Sequence, residues 1–261
     1  MPYRLASNAV WHSLPGVVSA YQPVGAPDAI AARQNIGWWH RMLGTYTASL
    51  GVAPTWAART GWGLNGTTQY LNTAIIPPSN SWTMIVNYSG ASGTSYRCLC
   101  GTRASTVIVG SFELWYDDGT PQSLYGNAGF LGTAKLTTLG TLGFAGKTGY
   151  KNGIPDGTLP AGALAATHSI YLGCTHNHTL GAAFYFLGTI RAHAIYNRTL
   201  TPAEMWLASM QMAYCEQNSQ WNAWAAQRRY WIAPATTALR WPVIGSGIVG
   251  GQPVSTVQEK R

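Results

Sequence analysis

Charge is what this chain has least of. Only 9 % of its 261 residues are Asp, Glu, Lys or Arg, and the acidic side chains number just 8. So few carboxylates leave little material for the chemistry that carboxylates usually carry. A glycosidase of the common kind needs two of them flanking one bond, and a calcium site needs six to eight oxygens, usually with several carboxylates among them. Cysteine is also scarce. Cys98, Cys100, Cys174 and Cys215 are too few for a disulfide framework in a chain of this length, and the Cys98-x-Cys100 spacing does not suit a zinc knuckle, so the four are read as buried thiols. No apolar run approaches the length of a membrane span, and the N-terminus MPYRLASNAVWHSLPG lacks a basic stretch followed by an apolar core. The expectation is a protein made in the cytoplasm without a signal peptide and without a membrane partner. The four Asn-x-Ser/Thr matches, at Asn65, Asn87, Asn177 and Asn197, are then chance occurrences.

The chain is rich in turn-formers and aromatics: 30 Gly, 14 Pro, 12 Trp and 14 Tyr. That mixture suits aromatic strands joined by tight turns and points to an all-β class. The 16 basic residues give a net charge of +8. They are scattered and form no dense block, so an acidic protein partner is favoured over nucleic acid.

The clearest local signal lies near residue 200. Thr201 stands at a helix N-cap position, Pro202 at the first helical position and Glu204 three residues beyond the threonine, which is a capping box. Met205, Leu207, Ala208, Met212 and Ala213 then form an apolar stripe for packing on a sheet. Before it, Gly188 to Tyr196 alternates as a half-buried strand, with Ile190, Ala192, Ala194 and Tyr196 opposed to Thr189, Arg191, His193 and Ile195. Upstream, Trp82, Met84, Val86 and Tyr88 share one face of a central strand, and Phe112, Leu114 and Tyr116 oppose Glu113, Trp115 and Asp117 on another. Asn65-Gly66, Asp118-Gly119, Asn152-Gly153 and Asp156-Gly157 are turn signals, the first predicting a hairpin. Residues 24 to 54 read as an irregular surface excursion, and roughly ten to twelve strands overall require two packed sheets.

Several segments carry a resemblance. Gly63-Leu64-Asn65-Gly66-Thr67-Thr68-Gln69-Tyr70-Leu71 is one, followed in order by Tyr150-Lys151-Asn152-Gly153, Ile170-Tyr171-Leu172-Gly173, Phe186-Leu187-Gly188-Thr189-Ile190, and Ile195 through Glu204. Together they resemble a laminin-G-like, concanavalin A-type jelly roll of the kind encoded by tailed phages. The resemblance implies a two-sheet antiparallel jelly-roll sandwich over residues 16–214 that ends in one short helix, with an N-terminal arm at 1–15 and an extended tail at 215–261. It says little about ligand, because folds of this kind host many functions.

The tail carries its own features. Trp221, Trp224 and Trp231 lie among Arg228 and Arg229, followed by Trp241, and these residue types dominate protein interfaces. The Trp231-Ile232-Ala233-Pro234 ending is similar to segments that follow jelly rolls in phage-encoded proteins. The implied function is a phage virion structural protein, a capsid-decorating or other head-surface subunit. It would be a homo-oligomer attached through its termini to the major capsid protein and other virion proteins. The alternative is a carbohydrate-binding module of a phage fibre or adhesin, with Trp38, Trp39, Trp115 and Tyr116 as the exposed rings that would meet a surface glycan.

No catalytic, cofactor or metal residues are expected, and the chain is expected not to be an enzyme. Glu113 and Asp117 lie on a strand, SFELWYDDG, that lacks the Glu-x-Asp-x-x-Glu spacing of the glucanase relatives, so they are read as turn-capping or surface carboxylates. His168, His176, His178 and His193 are read as loop histidines, and Asp117, Asp118 and Asp156 as turn residues and not calcium ligands.

Overall fold

The computed structural model describes residues 10–37, 45–78, 81–92, 97–104, 111–117, 120–126, 128–131, 137–158 and 166–214, with the backbone alone for 117, 120–126 and 128–131. In chain order the strands are β1 (Val17–Tyr21), β2 (Ser49–Leu50), β3 (Thr55–Ala57), β4 (Gly61–Asn65), β5 (Leu71–Asn72), β6 (Thr83–Ser89), β7 (Arg97–Arg103), β8 (Ser111–Asp117) and β9 (Thr120–Gly126). They continue as β10 (Ala128–Leu131), β11 (Leu139–Ala145), β12 (Thr148–Lys151), β13 (Ile154–Thr158), β14 (Tyr171–Leu172), β15 (Thr175–Asn177), β16 (Gly181–Ala183) and β17 (Leu187–Tyr196). Among the described residues two α-helices accompany them, α1 (Ala29–Ala32) and α2 (Pro202–Ala213), with a 3-10 turn at Trp11–Ser13.

These strands form the two sheets that the sequence requires. The first runs β13-β12-β11-β6-β17-β4-β3, with β1 also paired to β17. The second runs β10-β9-β8-β7-β14-β5-β2, with the β15–β16 hairpin attached. Pairing is antiparallel except for β15 against β7. The architecture is a two-sheet all-β sandwich.

The core lies between the sheets and follows the predicted alternation. Met84 meets Cys100 with sulfurs 3.7 Å apart, Phe144 meets Phe112 edge-on at 4.8 Å, and Tyr88 meets Tyr116 at 6.0 Å and Phe186 at 6.3 Å. Each such fully buried apolar side chain contributes roughly 1.5–3 kcal/mol. Cys98, Cys100 and Cys174 are buried free thiols, as expected. A bulge between Cys98 and Cys100 puts these two on opposite faces of β7: Cys100 pairs with inward-facing Leu114, and Cys98 with Trp115.

The outer face of the first sheet is closed. Thr201 Oγ1 accepts from the Glu204 backbone N–H, and the Glu204 carboxylate accepts from the Thr201 N–H, so α2 begins where the sequence placed it. The helix contacts β6, β11 and β13 and buries Met205, Ala208, Ser209 and Met212. Ser209 takes the place expected of Ala213, which is exposed. Residues 10–15, expected to be an arm ordered by something else, are ordered by the domain itself. Trp11 is fully buried, its N–H donates to Gln211 Oε1 at 2.7 Å, and its carbonyl accepts from the Tyr196 hydroxyl at 2.7 Å. Arg198 completes the closure, donating to Glu204 and, through Nε, to the Pro15 carbonyl.

Four local readings change in the fold. Residues 190–196 of β17 are buried on both faces and not half-buried, because β17 lies between β6 and its partners β1 and β4 and is covered by the Trp11 turn. A bulge between Ile190 and Ala192 resets its alternation, so that His193 pairs with Val86 and faces the interior. The Asn65-Gly66 turn does not close a hairpin, since β4 belongs to the first sheet and β5 to the second. The Asn65 side chain instead accepts from the N–H groups of Thr67, Thr68 and Gln69 and turns the chain across the sandwich. Asp156-Gly157 lies inside β13 as an irregularity against β12 and is not a reversal, whereas Asn152-Gly153 is the expected two-residue turn, with φ +50° and +77°. The 24–54 excursion contains α1 and β2 and buries Val24, Ala26, Ala31, Ala32, Ile36 and Ala48, so it contributes to the core.

Candidate functional site

The outer face of the second sheet is built differently. Alternation along β8 turns Glu113 and Trp115 outward, and their partners on β7 are Gly101 and Cys98. Glu113 is not a surface carboxylate. Its side chain is 0 % exposed and that of Arg103 is 8 % exposed. Arg103 Nε and Nη2 donate to Glu113 Oε2 at 3.1 and 2.8 Å, and Trp115 Nε1 donates to the same oxygen at 3.3 Å. The Thr175 hydroxyl donates to Oε1. Burial pushes the Glu113 carboxyl up from its ordinary range, while the Arg103 charge and the three donor side chains pull it back. Gly101 makes this geometry possible, because a Cβ there would lie 2.6 Å from Glu113 Cγ.

Phe184 roofs the pair. Its ring centroid lies 5.0 Å from that of Trp115, and the Arg103 guanidinium carbon sits 5.3 Å from the Trp115 ring and 5.7 Å from the Phe184 ring. Phe184 has φ +56° and is 38 % exposed. A bulky side chain at positive φ is a strained arrangement that its surroundings must hold in place.

Beside the pair, along β14 and β15, runs a row of half-buried rings. Tyr70 stacks on Tyr171 with centroids 4.6 Å apart, Tyr171 on His176 at 4.0 Å, and His176 packs against His168 at 4.7 Å. Tyr171 points outward because its neighbours Ile170 and Leu172 point into the core. Tyr70 lies flat over Gly51, where any Cβ would collide with the ring. His176 Nδ1 donates to the Ser169 carbonyl at 3.1 Å, which leaves Nε2 to accept from the Tyr171 hydroxyl at 3.4 Å. Burial lowers the His176 pKa and raises that of Tyr171 to about 12, so both rings are neutral near pH 7. Ser169 Oγ donates to Asn72 Oδ1 alongside them. The row is half-buried and combines apolar rings with hydroxyl and imidazole groups, a pattern that matches ligands whose own surface alternates C–H and O–H groups.

The expected site residues fare unevenly. Trp115 and Tyr116, expected as exposed platforms, are only 2 % and 8 % exposed: Trp115 carries the roofed pair and Tyr116 fills the core. Trp38, Trp39, Asp118, Cys215 and the tail residues Trp221, Trp224, Arg228, Arg229, Trp231 and Trp241 lie outside the described residues, as does the Asp117 side chain. Of the four histidines, only His178 sits on an exposed turn. His168 and His176 join the ring row, and His193 is inside the core. Among the described residues, no group of three or more His, Cys, Asp or Glu side chains is placed to hold a metal ion. The outward tyrosine was visible in the Ile170-Tyr171-Leu172 alternation, but one of its stacking partners, Tyr70, lies far upstream in the sequence.

No protein-family model matches the chain, and no curated protein matches it. Solved structures do. A mutant of Trypanosoma rangeli sialidase displaying trans-sialidase activity is 19 % identical over 76 % of this chain and 33 % of its own, with a TM-score of 0.52. The same organism's sialidase in complex with sialic acid is 18 % identical over 77 % of this chain and 33 % of its own, with a TM-score of 0.50. A carbohydrate-binding module, the Ruminococcus gnavus IT-sialidase CBM40 bound to alpha2,3 sialyllactose, is 16 % identical over 49 % of this chain and 82 % of its own, with a TM-score of 0.41. The chain thus spans about a third of the length of the two trypanosomal sialidases, and at these identities the likeness concerns the fold. It nevertheless corrects the expectation that the chain is not an enzyme, since structures of enzymes share this architecture. Sialidases are an exception to the carboxylate pair sought in the sequence, since they use a tyrosine nucleophile.

Proposed function

We infer that this chain is a glycan-binding β-sandwich whose ligand lies along the outer face of the second sheet. The observation that carries the reading is the half-buried row Tyr70–Tyr171–His176–His168, flanked by Ser169 and Asn72. Stacked rings with polar tips on a rigid sheet offer an apolar shelf and several hydrogen-bonding groups at little conformational cost. The solved structures of similar fold include a sialidase with sialic acid and a CBM40 with sialyllactose, which makes a sugar ligand compatible with the architecture by analogy alone. For a capsid-surface subunit, and for kinship with laminin-G-like domains, neither the described residues nor the comparisons supply an observation of comparable weight. Attachment through residues 215–261 rests on sequence.

The test is binding of the full chain to a panel of immobilised oligosaccharides, neutral and sialylated, followed by calorimetry on those retained. Retention of at least one oligosaccharide and its loss in Tyr171→Ala, with the melting temperature little changed, is the expected outcome. A wild-type chain that retains none of the panel, or a Tyr171→Ala chain that binds as the wild type does, overturns the reading.

A further inference from the structure

The Arg103–Glu113 pair has features that stabilising the fold alone does not call for. Closing a sandwich face takes apolar packing, as the first sheet shows with Met205, Ala208 and Met212. Here a guanidinium and a carboxylate are withdrawn from water instead, at a desolvation cost that the attraction within such a pair often only offsets. Glu113 Oε2 occupies Nε and Nη2 of Arg103. Among the described residues no hydrogen-bond partner of Nη1 is present. The guanidinium is held in orientation by the carboxylate and by the Trp115 and Phe184 rings. The pair is contiguous with the ring row: Thr175 binds Glu113 while the next residue, His176, stacks on Tyr171, and Thr102, next to Arg103, donates to the His168 carbonyl.

We propose that Arg103 Nη1, framed by Trp115 and Phe184, is a subsite of the glycan-binding face that donates to hydroxyl oxygens of a neutral sugar. The proposal rests on the reading above and names the ligand class for the same face. The class follows from charge. Arg103 is already paired at contact distance with the Glu113 carboxylate, both of whose oxygens accept from donors, so the site presents oriented donors without net positive charge, and a ligand carboxylate would be repelled by Glu113 as it was drawn to Arg103. A hydroxyl oxygen accepts the same hydrogen bond without that opposition. The exposed Phe184 ring supplies an apolar surface for the sugar's C–H face.

The experiment measures affinity of the full chain for a neutral oligosaccharide and its sialylated counterpart at about 0.15 M salt, where the Debye length of roughly 8 Å screens the overall +8 charge. Two variants are compared with wild type. The double variant Arg103→Met with Glu113→Gln removes both charges at once, and Arg103→Lys keeps the ion pair but replaces the planar fork with a point charge. Folding of each is checked by near-UV circular dichroism and melting, and if the double variant does not fold, Arg103→Lys decides. The expected result is an affinity for the neutral sugar that falls about tenfold or more, the worth of one charge-assisted hydrogen bond, while the sialylated sugar binds wild type no more tightly than the neutral one. Affinity within about twofold of wild type in the folded variants overturns the subsite and leaves the ring row standing. Tighter binding of the sialylated sugar that disappears with the Arg103 change overturns the neutral class. A wild-type chain that binds neither sugar removes the glycan reading and this subsite with it.

Discussion

The two outer faces of this sandwich solve the same problem in opposite ways. Over the first sheet, α2 and the Trp11 turn lay down Trp11, Met205, Ala208 and Met212, with Arg198, Glu204 and Tyr196 hydrogen-bonded at their edges. Over the second, the β15–β16 hairpin covers an ion pair, and the rings beyond it are left half in water. The first face is closed by apolar burial, which is cheap and tolerant of volume-conserving change. The second retains charge, strain and exposed aromatic edges, features that a merely structural face would not need. That contrast is why the proposed glycan-binding face is assigned to the second sheet, and it can be broken or sharpened by substitution.

The largest effect is expected at the ion pair. Arg103→Ala strands a fully buried Glu113 carboxylate and should destabilise the domain by about 3–5 kcal/mol, whereas the double change Arg103→Met with Glu113→Gln should cost far less, because no uncompensated charge remains. Urea denaturation of the two variants measures the difference. Equal losses would mean that the pair acts only as packing and that the two faces are energetically alike.

The interior shared by both sheets gives the next effect. His193 is fully buried, stacks on Tyr21 at 6.1 Å, and neither of its ring nitrogens finds a hydrogen-bond partner among the described residues. Burial lowers its pKa from 6.5 to about 3. Below pH 6.5 the unfolded chain therefore binds a proton at this residue that the folded chain refuses. The associated stability is present above that pH and drains away as pH falls toward 3, amounting to a loss on the order of 2 kcal/mol by pH 5. His193→Phe should flatten this part of the melting-temperature profile between pH 7 and 5. An unchanged slope would mean that the imidazole is not buried neutral.

On the closed face the effect is smaller. Thr201→Ala removes one half of the capping box and should cost roughly 1 kcal/mol, read as a shift in the urea midpoint. No shift would show that tertiary packing alone sets the start of α2.

These positions also mark how far the sequence could be read. The capping box at Thr201 and Glu204 and the Asn152-Gly153 turn were legible because each is decided within four residues by backbone chemistry. The central strand β6 was legible because its alternation survives in the fold. The Asn65-Gly66 turn was half legible: the reversal is local, but whether it joins strands of one sheet or two depends on what Leu71 pairs with, and that partner is Leu172. A bulge erased the expected alternation of β17, since one extra residue at Arg191 transfers His193 to the inside. The candidate site was almost invisible. Glu113 looked like any strand carboxylate until Gly101 opened a path to Thr175, and Tyr70 and Tyr171 meet only when β5 and β14 pair. Long-range pairing, and not propensity, built the face that matters.

The smallest effect tests the strain stored on the open face. Phe184 sits at φ +56°, a region that disfavours any side chain bearing a Cβ by roughly 1–2 kcal/mol, and its backbone is held there by the Cys98 N–H, which donates to the Phe184 carbonyl at 2.8 Å. Replacing Phe184 with alanine removes the ring and keeps the strain; replacing it with glycine removes both. Both variants lose the same ring contacts, so the difference between them isolates the backbone. Phe184→Gly should therefore be more stable than Phe184→Ala by about 1 kcal/mol, reduced by the extra freedom glycine gains in the unfolded chain. The urea midpoints of the two variants measure it. If alanine proves the more stable, the backbone at 184 relaxes once the ring is gone, and the aromatic roof itself imposes the positive φ.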